Sequence, residues 1–237
     1  MNPLWQKIPR RIMLKLSWET LKWEQEFGFD MKFIDTLSKK IATITARWIQ
    51  VVIVLGAGNI FRGAQQDGIK RASGDYIGML ATVMNWLMLW ESLGLVGQKV
   101  KVMTSLEMPK VADSFVMKDA MHYLDEWRIV ICVWWTGNPY FTTDTAAVQK
   151  ALELDCDIVV KATKVDGIYD KDPNKHDDAV KFDTLTLQKA YELWVNIMDH
   201  SAIAMAMDND LPMFVCKIDD IHKIGDDDII GTYVGGK

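Results

Sequence analysis

Six short apolar runs recur along the chain with helical patterns between them, and this alternation restricts the fold more than any other feature. The runs are RIMLKLS (11–17), WIQVVIVLG (48–56), KVKVMTS (99–105), RIVICVW (128–134), DIVVKAT (157–163) and PMFVCKI (212–218). They are nearly continuous rather than alternating, as strands are when helices cover both faces of their sheet. Between them, DMKFIDTLSKKIATITAR, DYIGMLATVMNWLMLWESLG and TDTAAVQKALELD repeat apolar residues at helical spacing. Strand–helix–strand order repeated in this way predicts an α/β fold, a three-layer sandwich with a largely parallel central sheet. No repeat, low-complexity tract or Pro/Gly linker divides the 237 residues, so one domain over 1–237 is expected. The charged stretch YDKDPNKHDDAVKFD (169–183) reads as an exposed hairpin or loop.

Composition removes several function classes. The net charge of −5 argues against a general nucleic-acid binder. A run of about eighteen apolar residues, the minimum for a spanning helix, does not occur, so no membrane association is expected. The N-terminal MNPLWQKIPRRIMLKLS lacks a long apolar h-region and reads as no signal peptide. Cys132, Cys156 and Cys216 are widely spaced within apolar runs and read as reduced thiols of a cytoplasmic protein. The four histidines are scattered and form no metal pattern, so no metal-ligating residues are predicted.

Ligands of open α/β sheets sit at the carboxyl ends of the strands. After the first run, Lys15-Leu16-Ser17-Trp18 could set a cation beside a phosphate, or simply hold a surface lysine with Ser17 as a helix cap. After the second, Gly56-Ala57-Gly58-Asn59-Ile60-Phe61-Arg62-Gly63 offers backbone amides and a guanidinium to an anion. It is neither a Walker loop nor a dinucleotide fingerprint, and an ordinary strand-to-helix turn is the alternative. Asp75 opens an apolar helix and reads as its N-cap, with a ribose contact as the second reading. The densest polar stretch runs from Thr136 through Gly137, Asn138, Pro139, Tyr140, Phe141, Thr142 and Thr143 to Asp144 and Thr145. It holds more hydroxyls and amides than a cap requires, which favours a phosphate or base contact. Lys161 and Lys164 close another apolar run, where two cations are costly without an anion opposite. Tyr169 could face an adenine and Asp172 accept from its ribose, although an Asp-Gly turn alone would explain this segment. Asp199 reads as a cap for the helix that follows.

Taken together, KLS-x-E (15–19), the turn through NIFRGA (56–64), SGDYIGMLATVMN (73–85), TGNPYFTTDTAA (136–147) and KATKVDGIYDKDP (161–173) resemble the bacterial uridylate (UMP) kinases, which have the amino-acid-kinase-like fold. The TGNPYFTTD string together with KATKVDG separates that family from its carbamate and amino-acid kinase relatives. The resemblance implies phosphorylation of UMP by ATP with magnesium carried on the nucleotide phosphates, in pyrimidine nucleotide synthesis. It also implies a cytoplasmic homohexamer, with GTP and UTP as effectors. It further implies an N-terminal part mainly for UMP and a C-terminal part mainly for ATP. Lys15, Arg62, Asp144 and Lys164 would be catalytic. Lys15, Leu16, Ser17, Trp18, Gly58, Arg62, Thr163, Tyr169 and Asp172 would bind ATP. Ala57, Asp75 and the stretch Thr136, Gly137, Asn138, Pro139, Tyr140, Phe141, Thr142 and Thr143 would bind UMP.

The chain departs from the family in one consistent way. It has ten tryptophans against fifteen glycines, and Trp18, Trp23, Trp48, Trp127, Trp135 and Trp194 stand where the family has glycine, with Trp86 as a further candidate. If overpacking at six such sites were additive it would cost on the order of 6–18 kcal/mol, against a usual stability of about 5–15 kcal/mol. Some bacterial lineages read UGA as glycine, and translating such a gene with a code that reads UGA as tryptophan leaves this signature. The other reading takes the indoles as genuine. In that case Trp18 and Trp135 border the nucleotide sites, and the chain is a catalytically impaired nucleotide-binding or oligomeric protein on the same scaffold.

Overall fold

The computed structural model describes residues 8–17, 29–61, 68–133, 136–193 and 198–236. Trp18, Trp23, Arg62, Trp135 and Trp194 lie outside the described residues.

Strand β1 (Arg11–Leu16) is followed by helix α1 (Met31–Thr45), β2 (Gln50–Leu55), the long α2 (Arg71–Leu95), β3 (Val100–Thr104), β4 (Asp113–Ser114) and α3 (Met117–Asp125). The chain continues through β5 (Ile129–Val133), α4 (Thr143–Glu153), β6 (Ile158–Thr163), β7 (Ile168–Tyr169), β8 (Lys181–Phe182) and β9 (Thr184–Leu185). It ends with α5 (Leu187–Glu192), α6 (His200–Asp208), β10 (Met213–Lys217), a 3-10 helix (Ile218–Lys223) and β11 (Gly231–Val234). Nine strands form one sheet in the order β4-β3-β5-β2-β1-β6-β10-β11-β9, and β7 with β8 makes a separate ribbon. The β10–β11 pair is antiparallel, and every other pair in the large sheet is parallel. The six apolar runs are the six core strands β1, β2, β3, β5, β6 and β10, and 169–183 contains the predicted hairpin.

Alternation along each strand divides the core into two layers. Ile12, Leu14, Leu16, Ile53, Leu55, Val160 and Phe214 pack with Leu37, Ile41, Met79 and Leu89 of α1 and α2. On the other face Met13, Val52, Val54, Val159 and Val215 pack with Ala146, Ala147, Ala151 and Ile203 of α4 and α6. This is the expected three-layer sandwich. Helix α1 begins where Asp30 accepts from the Lys32 and Phe33 amides, each at 3.0 Å, and it buries Ile34, Leu37, Ile41 and Ile44 at helical spacing. Cys132, Cys156 and Cys216 are buried free thiols, and burial pushes Cys132 and Cys216 up to about 12. Among the described residues no helix is long and apolar enough to cross a membrane.

Topology places the functional edge. The chain builds the sheet outward from β1 through β2 and its neighbours, then returns to lay β6 and β10 on the other side of β1. The order therefore reverses at β1, and the segments leaving β2, β1 and β6 share the carboxyl edge beside that switch point.

Candidate functional site

Lys15 on β1 and Lys161 on β6 are register partners in adjacent parallel strands. Both lie on the face that packs against α4, where their strand neighbours are apolar. Their side chains are nearly removed from solvent, with residues Lys15 and Lys161 only 6% and 9% exposed. Two ammonium groups side by side on one sheet face repel, and burial adds to the cost. The compensation is Asp144, in the first turn of α4, whose Oδ1 is 2.7 Å from Lys15 Nζ and whose Oδ2 is 3.1 Å from Lys161 Nζ. Burial pushes the Asp144 carboxyl up, but the two lysine charges outweigh it and hold it down at about 2. Burial, then the charge of Lys15, lowers Lys161 to about 8 despite Asp144. Lys15 Nζ also donates to Ser17 Oγ at 3.3 Å.

The start of α4 is held from a second side. Thr142 caps the helix, its Oγ1 accepting from the Asp144 amide at 3.0 Å. Thr142 Oγ1 donates to Asp199, and Thr145 Oγ1 lies 2.9 and 2.8 Å from the two Asp199 oxygens. Asp199 in turn caps α6 by accepting from the Ala202 amide at 2.9 Å, as its position before that helix predicts. One carboxylate thus ties two helix starts together and fixes the turn that carries Asp144. A helix N-terminus with two cations beside it is a ready anion site.

The glycine turn after β2 is pinned from α2. Asn85 Nδ2 donates to the Gly56 carbonyl at 2.8 Å, and Asn85 and Asn59 exchange two side-chain bonds of 2.9 and 3.1 Å. Ala57 is buried, and its carbonyl accepts from the Ile60 and Phe61 amides.

Asp75 is not the N-cap predicted for it. Helix α2 starts four residues earlier at Arg71, with Lys70 as the extended cap residue, because the helical pattern continues back through Ala72 and Ser73. Asp75 is instead buried in the helix, where it accepts from Arg71 Nε at 2.9 Å and from the Tyr140 amide at 2.7 Å. It therefore holds the polar loop from Thr136 to Thr143 against α2. In that loop Gly137 has φ +81° and Tyr140 φ +73°, the Asn138 amide donates to Thr136 Oγ1 at 3.2 Å, and Asn138 and Tyr140 are exposed.

On the C-terminal side, Thr163 Oγ1 closes a turn onto the Val165 carbonyl at 2.7 Å. Tyr169 Oη donates to Asp166 at 2.7 Å, while Lys181 reaches the other Asp166 oxygen at 3.2 Å. The Tyr169 bond, Lys181 and its hydrogen bond outweigh the burial that pushes Asp166 up, holding it below the usual carboxylate range. Asp172 accepts from the Asn174 amide at 3.0 Å and pairs with Lys175 at 3.4 Å. Lys164 differs from the sequence-based assignment. It follows the end of β6, is exposed, and has no ion pair among the described residues, whereas Lys161 takes the place beside Asp144. Strand parity carried the missed signal, since Lys161 alternates with the core residue Val159 on the face that α4 covers. Among the described residues no cluster of acidic, histidine or cysteine side chains could hold a metal.

The sequence profile of the amino acid kinase family matches residues 11–217. A uridylate kinase of Sulfurovum sp. (strain NBC37-1) is 44% identical over 214 residues, covering 89% of this chain and 91% of that protein. The crystal structure of a UMP kinase from Bacillus anthracis superposes with a TM-score of 0.92 at 33% identity and covers 97% of both chains. That of a UMP kinase from Ureaplasma parvum gives 0.90 at 29% identity, over 96% of this chain and 99% of the other.

Proposed function

The chain belongs to the amino acid kinase family, and from that premise we propose that it transfers the γ-phosphoryl group of ATP to UMP, forming UDP and ADP. The observation that carries the proposal is the buried Lys15–Asp144–Lys161 cluster beside the start of α4, at the sheet's switch point. In the reaction an oxygen of the UMP phosphate bonds to the γ-phosphorus as the bond to the ADP oxygen breaks. The acceptor oxygen is already ionised at neutral pH, so no strong base is needed. What the protein must supply is alignment and positive charge for the phosphoryl oxygens. Lys15 and Lys161 supply that charge, and Asp144 keeps both ammonium groups aimed at one point. The α4 amides extend the same field.

ATP enters as its magnesium complex, with the ion carried on the nucleotide phosphates. Ser17 and Gly58 line the phosphate side, with Arg62 assigned there by resemblance. Thr163, Tyr169 and Asp172 hold the adenosine side, where the Tyr169–Asp166–Lys181 network steadies the ring. Ala57, Asp75 and Thr136 to Thr143 hold UMP, with Asp75 fixing the loop through the Tyr140 amide. In this arrangement 1–237 acts as one unit, its N-terminal part serving mainly UMP and its C-terminal part mainly ATP. The exposed Tyr76, Ile77, Leu80, Met84 and Trp90 of α2 support self-association, in keeping with a hexamer responsive to GTP and UTP. The enzyme works in the cytoplasm, in keeping with its buried thiols.

Paired calorimetry and turnover test this reading. UMP binding together with UMP-dependent ADP release supports it. Tight UMP binding with no turnover would instead identify a nucleotide-binding protein that has kept only the scaffold.

A further inference from the structure

Among the described residues, five turns carry the chain from an α-helix directly into the next strand of the large sheet, and each contains one residue in the left-handed region. These residues are Trp48 (φ +60°) between α1 and β2, Gly97 (+80°) between α2 and β3, Trp127 (+58°) between α3 and β5, Asp155 (+48°) between α4 and β6, and Asp210 (+51°) between α6 and β10. Four of the turns share a hydrogen-bond pattern as well. The left-handed residue's amide reaches back three residues, and the next amide reaches back five: Gly97 to Gly94 and Gln98 to Leu93, Trp127 to Leu124 and Arg128 to Tyr123, Asp155 to Leu152 and Cys156 to Ala151, Asp210 to Met207 and Leu211 to Ala206. At Trp48 the three-residue bond to the Thr45 carbonyl is present. This is the Schellman way of ending a helix, and its left-handed position takes glycine first and short polar residues next, because a Cβ there crowds the carbonyl that follows.

The fold therefore contains its own comparison. Of the five left-handed positions, three hold glycine or aspartate and two hold the bulkiest side chain available, Trp127 within the full hydrogen-bond pattern and Trp48 with its three-residue bond alone. Neither indole reaches the hydrophobic core. Trp48 is 72% exposed and Trp127 46%, and they meet each other edge to face at 5.0 Å on the surface. The cavity of about 310 Å³ between these turns is lined by both rings together with neighbours such as Gln50, Gln98 and Arg128.

We infer that the polypeptide made in the source cell has glycine at positions 48 and 127, the codons at these positions being decoded as glycine rather than tryptophan. The inference rests on backbone geometry and stands whether or not the chain phosphorylates UMP. Its consequence reaches the nucleotide site, because a cell that decodes these codons as glycine also decodes any identical codons at Trp18 and Trp135 as glycine.

The test is peptide mass spectrometry of the protein from its source cells. Trypsin releases residues 48–62 and 119–128 as separate peptides, with 16–22 and 129–150 reporting on Trp18 and Trp135. Glycine at 48 and 127 is the expected result, and tryptophan at either overturns the inference. The geometric premise has an independent readout in recombinant chains. W127G is expected to melt about 2–4 °C above the tryptophan form, W127N between them, and W127A no higher than W127N. A W127G protein that is no more stable than W127A would contradict the strain argument, because bulk alone would then explain the difference.

Discussion

Replacing Asp144 by asparagine removes the single negative charge that two buried ammonium groups share while keeping the side chain's shape. At the observed separations of 2.7 and 3.1 Å, and with an effective dielectric constant of about 20, the two attractions amount to roughly 6 and 5 kcal/mol. Desolvation has already consumed most of that gain, so the net loss expected is that of breaking a buried pair, about 3–5 kcal/mol. For a domain of this size that corresponds to a fall in Tm of roughly 6–20 °C. The variant has one means of relief. Lys161, already lowered to about 8 in the intact cluster, loses Asp144's support and sheds its proton at neutral pH. The phosphoryl oxygens then lose a positive charge along with its orientation, and kcat falls by about 10²–10³-fold. ADP release coupled to UMP, measured well below the variant's own Tm, separates this loss from unfolding. Denaturant titration measures the stability cost. An Asp144→Asn enzyme with near-normal kcat and unchanged Tm would refute the reasoning, since two adjacent buried cations would then need no carboxylate between them.

The remaining predictions concern the groups around this cluster. Lys161 must be protonated to act, so kcat/KM falls as pH rises through about 8; Lys161→Arg, charged at every accessible pH, loses that basic limb. Because Lys161 has a lower value in the folded protein than the usual 10.5, the unfolded chain binds more protons between about 8 and 10.5, and this residue's contribution to stability rises with pH there. Asp144 acts at the other end, its contribution being present above 3.8 and lost as pH falls toward about 2, which acid denaturation of Asp144→Asn against the parent would detect. Asp75→Ala frees the Tyr140 amide and raises the KM for UMP by roughly 10–100-fold, the worth of one charge-assisted hydrogen bond, with little change in the KM for ATP. Asp199→Ala leaves the Thr142 and Thr145 hydroxyls and the Ala202 amide without their acceptor and lowers Tm by about 5–10 °C in calorimetry.

What the sequence disclosed follows from where each signal is written. The six core strands are buried on both faces, so apolar runs alone reveal them and the layers between. Helix α3 is only nine residues long, and although Met117, Ala120, Met121 and Leu124 fall at helical spacing, so short a stripe does not by itself mark a helix. Strands β4 and β9 are two residues long and exist through the partner beside them, and the antiparallel turn of β11 onto β10 has no local signature. At the site, Lys15 and Asp144 stand in recognisable strings, and Asp199 was legible as a cap. The bonds from Asp199 to Thr142 and Thr145 span more than fifty residues and need the fold to be seen. The choice between Lys161 and Lys164 turned on strand parity, which places one lysine beside Asp144 and the other past the strand end. Asp75 looked like a cap because the helical pattern is strongest after it, yet tertiary contact with the Tyr140 loop recruits that carboxylate from inside the helix.

Phosphorus NMR of a mixture of protein, MgATP and UMP follows directly whether the Lys15–Asp144–Lys161 cluster moves a phosphoryl group from ATP to a nucleoside monophosphate. The γ-phosphate resonance of ATP is expected to decline as the β-phosphate of UDP appears, and Lys15→Ala and Lys161→Ala are each expected to suppress the transfer while still binding UMP. Persistence of both substrates, or equal transfer by the lysine variants, would contradict it.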